Sequence, residues 1–140
     1  MELKKYVQKP EGAALFSAFA AGMLTHLFAL TNVLHNYDDI VIQPNDYGWG
    51  LPLGRWLLNI LGGRAISWFG NYDLPLVNGL MLIVMVAVAA TFFVAVFQLS
   101  TKGAVCVGIV FAVAPAVTST MFFRFLGAYY GLAILPVKAF

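Results

Sequence analysis

The chain has few charged residues, and three long stretches contain none. Asp, Glu, Lys and Arg make up 10% of the 140 residues, against about 25% in soluble domains. None of the four occurs in residues 12–37, 74–99 or 103–123. Because each stretch is as long as the run of about 20 apolar residues that crosses a bilayer as a helix, the sequence predicts an integral membrane protein.

Further absences exclude other classes of protein. A small multidrug-type transporter is expected to hold a carboxylate inside a span for coupling, and none of the three charge-free stretches has one. The eight basic residues form no cluster beyond the amino terminus, which does not favour nucleic-acid binding. The single cysteine, Cys106, cannot form an internal disulfide, and we expect it to be a small apolar residue of the helix core.

The apolar runs predict transmembrane helices over residues 13–34, 74–99 and 103–123. The first run follows a basic start, as in a signal peptide, but it exceeds the 7–15 residues or so of a secretory apolar region. We therefore interpret it as a retained helix. His26 lies within it, where a polar ring is costly, and we favour a histidine paired inside the bundle over a proton relay.

The positions of the lysines predict the orientation. Three lie in residues 1–12, and Lys102 lies in the turn between the second and third spans. Because Lys and Arg are enriched on cytoplasmic segments, we expect the amino terminus to be cytoplasmic in the inner (plasma) membrane. The loop of residues 35–73 then faces the periplasm or the cell exterior.

Within this loop, residues 55–69 have the pattern of a helix that lies at the membrane interface. Apolar residues recur at steps of three and four, with Trp56 and Trp68 near the two ends. Trp is stable at the headgroup level, and the helix is either a connector or a floor beneath a lipid-borne substrate. Gly62 and Gly63 interrupt the pattern, and a break into two short helices is the alternative to one helix over residues 55–69.

After the third span, the chain offers only a short apolar segment. Residues 125–137 lie between Arg124 and Lys138 and are too few to cross a bilayer, and Pro136 would end a helix. We expect residues 124–140 to be a truncated fourth helical segment. The predicted fold is thus an all-α membrane protein with three transmembrane helices, an outer interfacial helix and this segment, within one transmembrane region.

Two adjacent carboxylates follow the first span directly. Asp38 and Asp39 are expected at the outer membrane surface, where a base acting on a lipid-borne substrate would lie. Such pairs are more often solvated loop charges than catalytic groups. A divalent cation held with Asp46 is a further alternative, but the spacing does not match a full calcium loop.

Five blocks resemble the bacterial serotype-converting (Gtr-type) membrane glucosyltransferases of the GT-C class, in their amino-terminal part. The blocks are THLFALTN at 25–32, HNYDDI at 35–40, LGRW at 53–56, LPLVNGL at 74–80 and APAVTST at 114–120. The resemblance fades near Arg124. Members of the family are several-fold longer, so we interpret the chain as an amino-terminal portion.

The resemblance implies transfer of glucose from a polyprenyl phosphate to an envelope glycan such as O-antigen. Asp38 or Asp39 would be the catalytic base, and Arg55 would hold the phosphate unless it only extends to lipid headgroups. Tyr37 and Trp56 would add substrate contacts, and a divalent cation is a possible cofactor in place of the Arg. The alternative function is an inactive membrane remnant, or a small structural or partner protein of the membrane.

Overall fold

A computed structural model describes residues 8–34, 48–70, 74–123 and 126–135. Helices account for 85% of this part of the chain, which contains no strand. In chain order the elements are α1 (Pro10–Thr31), a 3-10 helix (Gly48–Leu53), α2 (Trp56–Phe69), α3 (Pro75–Phe97), α4 (Thr101–Val113), α5 (Pro115–Met121) and α6 (Gly127–Ile134). The predicted all-α fold class is confirmed.

Three helical segments of the described chain are long and apolar enough to cross a membrane. They are Pro10–Thr31, Pro75–Phe97 and Thr101–Met121, the last of which comprises α4 and α5. The first helix begins and ends three residues before the interval predicted from hydropathy. Pro10 suits the first turn because it lacks the N–H that would have no partner there. At the other end, the backbone N–H and the side-chain amide of Asn32 both donate to the Phe28 carbonyl, at 3.0 and 2.9 Å.

Small residues allow α1 and α4 to approach closely. Two buried small residues spaced four apart, Ala14 and Ala18, lie on α1, and three with the same spacing, Ala104, Gly108 and Ala112, lie on α4. A Cβ atom on Gly108 would lie 2.6 Å from the Ala14 carbonyl oxygen and 3.0 Å from the Ala18 nitrogen. The gap between the backbones is therefore too narrow for any side chain at this position.

The second spanning helix, α3, packs against this pair along its length. At one end of the bundle, Leu82, Ile83 and Val86 of α3 form a buried cluster with Leu30, Val117 and Met121. We call this the loop end, because α1 ends, α3 begins and α5 ends here. At the opposite end, Val94 packs against Ala13, Ala14 and Ala104. The three spans thus run antiparallel to their sequence neighbours.

The third span is broken at Ala114. Its φ and ψ of −56° and 138° are extended, as the residue before a proline prefers, and α5 begins at Pro115. The carbonyls in the last turn of α4 consequently lack helical partners. The His26 ring is buried and its Nε2 lies 2.9 Å from the Ala112 oxygen. Since a carbonyl only accepts, Nε2 carries the proton and donates, and the histidine is paired inside the bundle as predicted.

The single helix predicted over residues 55–69 is present as α2, which is unbroken from Trp56 to Phe69 and continues through Gly62 and Gly63. The penalty of about 1 kcal/mol for each Gly does not outweigh the hydrogen bonds of the flanking turns.

The expectation for Cys106 is wrong. This residue, expected in the helix core, is exposed on α4. It lies outside the buried four-residue series Ala104–Gly108–Ala112, on a face directed away from α1.

The last described helix, α6, lies alongside α3 and runs in the same direction. The backbone of Gly127 faces the Asn78 carbonyl in the first turn of α3, and Gly131 faces Leu82 and Met85 about one turn further on. A Cβ on Gly131 would lie 3.3 Å from the Leu82 Cα. The two glycines, four residues apart, therefore allow α6 to pack closely against α3, from the loop end towards the middle of the bundle.

We predict that Gly108→Ala destabilises the bundle, because the added methyl meets backbone atoms of α1 that cannot move independently. Overpacking of this kind costs about 1–3 kcal/mol. Unfolding in mixed detergent micelles with increasing dodecyl sulfate measures the change. Gly103→Ala is the matched control on the same helix, since its Cβ would meet only the Ser100 Oγ at 3.6 Å and the Leu99 Cβ at 3.7 Å. Equal stability of the two variants would contradict the close approach.

We also predict that His26→Leu destabilises the protein more than His26→Gln. Leucine leaves the buried Ala112 carbonyl without a donor, which costs about 1–3 kcal/mol. Glutamine supplies an N–H from a side chain of comparable reach. Thermal unfolding in detergent compares the two variants. Equal destabilisation by glutamine and leucine would show that the hydrogen bond from His26 to the Ala112 carbonyl does not stabilise the protein at the helix break.

Candidate functional site

Arg55 lies at the start of α2, and a glycine with a positive φ adjoins each end of this helical segment. It follows Gly54, whose φ of 74° lies in the left-handed region, and directly precedes Trp56, the first residue of α2. The Gly54 N–H donates to the Leu51 carbonyl at 3.0 Å and closes the turn that ends the 3-10 helix. At the far end of α2, Gly70 has a φ of 73°. Glycine adopts these angles without the strain of other residues, so the two glycines set where α2 begins and ends.

The Arg55 side chain lines a cavity between α2 and α6. The cavity has a volume of about 510 Å³ and opens to the surface of the bundle. Leu57, Leu58 and Leu61 line it from α2, and Tyr129 and Tyr130 are among the residues that line it from α6. Its volume is within the range of about 300–1,000 Å³ that is usual for ligand sites.

Leu126 joins the two walls of this cavity. Its side chain is 3% exposed and packs against Leu58 and Ile66 of α2 and against Tyr129. Because Leu126 directly precedes Gly127, which faces Asn78 at the start of α3, this contact lies at the loop end. The cavity is therefore a feature of the end at which α3 enters the bundle.

The electrostatic character of the cavity follows from its lining. Among the described residues that line it, Arg55 is the one that carries a charge, and the others are leucines, tyrosines and an alanine. The guanidinium has five N–H donors in a planar fork that matches phosphate or carboxylate oxygens. The arrangement can hold an amphiphile with an anionic head and an apolar chain.

The structure brings together only part of the site predicted from the sequence. Arg55 lines the cavity, whereas Trp56 is 61% exposed and is not among the lining residues. Tyr37, Asp38 and Asp39 lie outside the described residues, as does Asp46. Among the residues that are described, no three His, Cys, Asp or Glu side chains are placed to hold a metal ion.

The end of α1 lies at the same end of the bundle as the cavity. The Thr31 hydroxyl donates to the Leu27 carbonyl at 2.8 Å, and Asn32 caps Phe28, so the last turn is closed by side chains. Asn32 is extended, with φ and ψ of −121° and 144°. The chain therefore leaves the bundle at the loop end, six residues before Asp38 and at the same end as the cavity.

Reasoning from the sequence missed the wall that α6 contributes. Residues 125–137 were interpreted by length alone, although they contain Gly127 and Gly131 at a spacing of four. That spacing is the signal that could have identified a helix packed closely on another, with Tyr129 and Tyr130 between the glycines. The two tyrosines line the cavity as a consequence.

Comparison with families of known proteins gives one result for most of the chain. The family model described as Glucosyl transferase GtrII matches residues 27–138. The match continues well past Arg124, so the expectation that the likeness fades there is wrong. No curated protein and no solved structure matches the chain.

We predict that Gly54→Ala destabilises α2, since a left-handed conformation costs a residue with a Cβ about 1–2 kcal/mol. Gly63→Ala is the matched control. Gly63 lies within α2, has no positive φ and has open space at its Cβ. Alanine at this position should therefore stabilise the helix by up to about 1 kcal/mol. Thermal unfolding of both variants in detergent measures the difference, and destabilisation by both would contradict the role given to φ.

Proposed function

Because the chain belongs to the GtrII glucosyl transferase family, we propose that it takes part in moving glucose from a polyprenyl phosphate to an envelope glycan such as O-antigen. The family match covers residues 27–138 of the 140 and includes the region of Asp38, Asp39 and Arg55. Membership of a glucosyltransferase family implies a sugar donor and an acceptor. The lipid carrier and the glycan are the further steps of this proposal.

One observation supports the lipid carrier most strongly. Of the described residues that line the cavity, Arg55 is charged and most of the others are apolar, and the cavity lies beside helices that can cross a membrane. A soluble nucleotide sugar would be expected to need several polar groups for its base and ribose. A lipid phosphate needs one cationic contact for its head and apolar surface for its chain.

The proposed side of the membrane follows from the basic residues. Lys4, Lys5 and Lys9 precede α1, and Lys102 lies in the first turn of α4, at the end of the bundle opposite the loop end. With these lysines in the cytoplasm, the loop end faces the periplasm or the cell exterior. Arg55, the cavity and the segment that carries Asp38 and Asp39 then share the side on which envelope glycans lie.

The chemistry assigned to these residues is a single displacement at the anomeric carbon. A carboxylate of Asp38 or Asp39 accepts the proton of the acceptor hydroxyl as its oxygen bonds to that carbon. The bond from the anomeric carbon to the phosphate oxygen breaks, and its electron pair stays on the phosphate. Arg55 would stabilise the charge on the released polyprenyl phosphate by paired hydrogen bonds.

We predict that Asp38→Asn or Asp39→Asn lowers glucose transfer by about 10²–10⁴-fold, the usual contribution of a general base. Asparagine keeps the size of the side chain but cannot accept the proton. The assay uses native membranes that contain the variant at its normal level, polyprenyl phosphate carrying labelled glucose, and the acceptor glycan. The label that appears in the glycan is measured against time.

Asp73→Asn is the control, because it removes a carboxylate from the same loop at a distance of 34 residues from Asp39. It should leave the rate of transfer unchanged. Unchanged transfer in both the Asp38 and the Asp39 variants would contradict the assignment of the general base to either residue. Loss of transfer in all three variants would show that the loop needs its net charge and not a particular base.

A further inference from the structure

The walls of the cavity between α2 and α6 extend along the bundle. On the α6 side, the lining runs from Leu126, at the loop end, to Leu135. The eight residues of α6 correspond to about 12 Å at 1.5 Å per residue. Since Gly131 in this stretch faces Leu82 and Met85 of α3, the cavity reaches from the loop end towards the middle of the bundle.

The polar and apolar parts of the cavity are separated along this direction. Arg55 precedes α2, which has the pattern of an interfacial helix, whereas Leu132, Ala133 and Leu135 line the deep part. Water would find no hydrogen-bond partners against these three side chains. A hydrocarbon chain would, by contrast, contact apolar atoms along the whole depth.

We propose that this cavity binds the phosphate-proximal part of the chain of a polyprenyl phosphate, with its phosphate at Arg55 and its first isoprenoid units against α6. The proposal rests on the proposed function and adds α6 to the donor site. Charge complementarity determines the orientation of the lipid, because Arg55 is the one cation among the lining residues that the structure describes. The depth of the α6 wall then selects for a long single chain over a short polar ligand.

Ala133 is the residue through which the proposal is best tested. It lines the deep part of the cavity, where a larger side chain would occupy the space assigned to the lipid. Ala133→Trp should therefore lower polyprenyl phosphate binding by at least about tenfold, as the loss of a few buried methylenes implies. Leu57→Trp, on the opposite wall, is a second variant that fills the same space from α2 and does not depend on the folding of α6.

The matched control is Val110→Trp. Val110 is 62% exposed on α4 and does not line the cavity, so the same large side chain is added to a different surface of the bundle. Binding by this variant should equal that of the unmodified protein. Thermal unfolding of each purified variant shows that binding is compared between folded proteins.

The experiment measures capture of a polyprenyl phosphate with a photoreactive group on its chain, by the full chain in phosphatidylcholine nanodiscs. No sugar is present, so the result does not depend on whether the protein transfers glucose. Labelling should fall on residues 55–61 and 126–135 and should be competed by unlabelled polyprenyl phosphate. Arg55→Gln should weaken capture of the phosphate about tenfold or more, as loss of a charge-assisted contact implies, and leave capture of the uncharged polyprenol unchanged.

Three results of the capture experiment would overturn the proposal, and one result of the transfer assay would do so as well. The first is normal capture by both Ala133→Trp and Leu57→Trp. The second is equal competition by phosphatidylglycerol, which would identify the cavity as a site for bilayer lipid. The third is labelling confined to helices outside the cavity. Transfer that depends on Asp38 or Asp39 but is insensitive to Ala133→Trp would reject this lipid site and leave the proposed function standing.

Discussion

The close approach of α1 and α4 is the contact on which the rest of the structure depends. Lipid tails are as apolar as leucine side chains, so helices in a bilayer gain little from hiding apolar surface against each other. They associate where their backbones come close enough for extensive van der Waals contact. Gly108, against Ala14 and Ala18, provides this approach, and the Ser17 hydroxyl lies within it, 3.1 Å from the Ala14 carbonyl and 3.3 Å from that of Val105.

The positions of the other elements follow from this pair. Helix α3 packs against both members through Leu82, Ile83 and Val86, and α6 is seated on α3 by its two glycines. Leu126 then ties α2 to the beginning of α6. The cavity lies between α2 and α6, which contact each other through Leu126 and diverge from there. The position of Arg55 is determined locally, by the turn at Gly54. The position of the α6 wall is determined by the packing of α6 against α3.

Much of the fold could be predicted because the strongest constraints of a bilayer act on sequence directly. A charge-free run of sufficient length has few alternatives to a spanning helix, and Pro10, Pro75 and Asn32 define ends within a few residues. The paired state of His26 could be predicted on the same basis, since an unpaired ring in hydrocarbon is costly. The partner of His26 could not be predicted from the sequence. It is the carbonyl of Ala112, 86 residues away in the chain, which lacks a helical partner because the helix breaks there.

The features that the sequence left open or missed depend on cooperation between segments. Whether α2 continues through Gly62 and Gly63 was left open, because propensities of single residues do not express the cooperative stability of a helix. The role of α6 in the cavity depends on its seat on α3. Of the candidate site, Arg55 was identified from its motif and does line a cavity, while the roles of Asp38, Asp39 and Tyr37 remain predictions from the family resemblance.

The most direct test of the account is transfer of labelled glucose from polyprenyl phosphate to envelope glycan in native membranes, measured with the gene intact and with it deleted. Native membranes retain any partner with which the protein acts. The account predicts label in the glycan only when the protein is present, and restoration when the gene is supplied again. Equal labelling with and without the protein would contradict a role in glucosyl transfer.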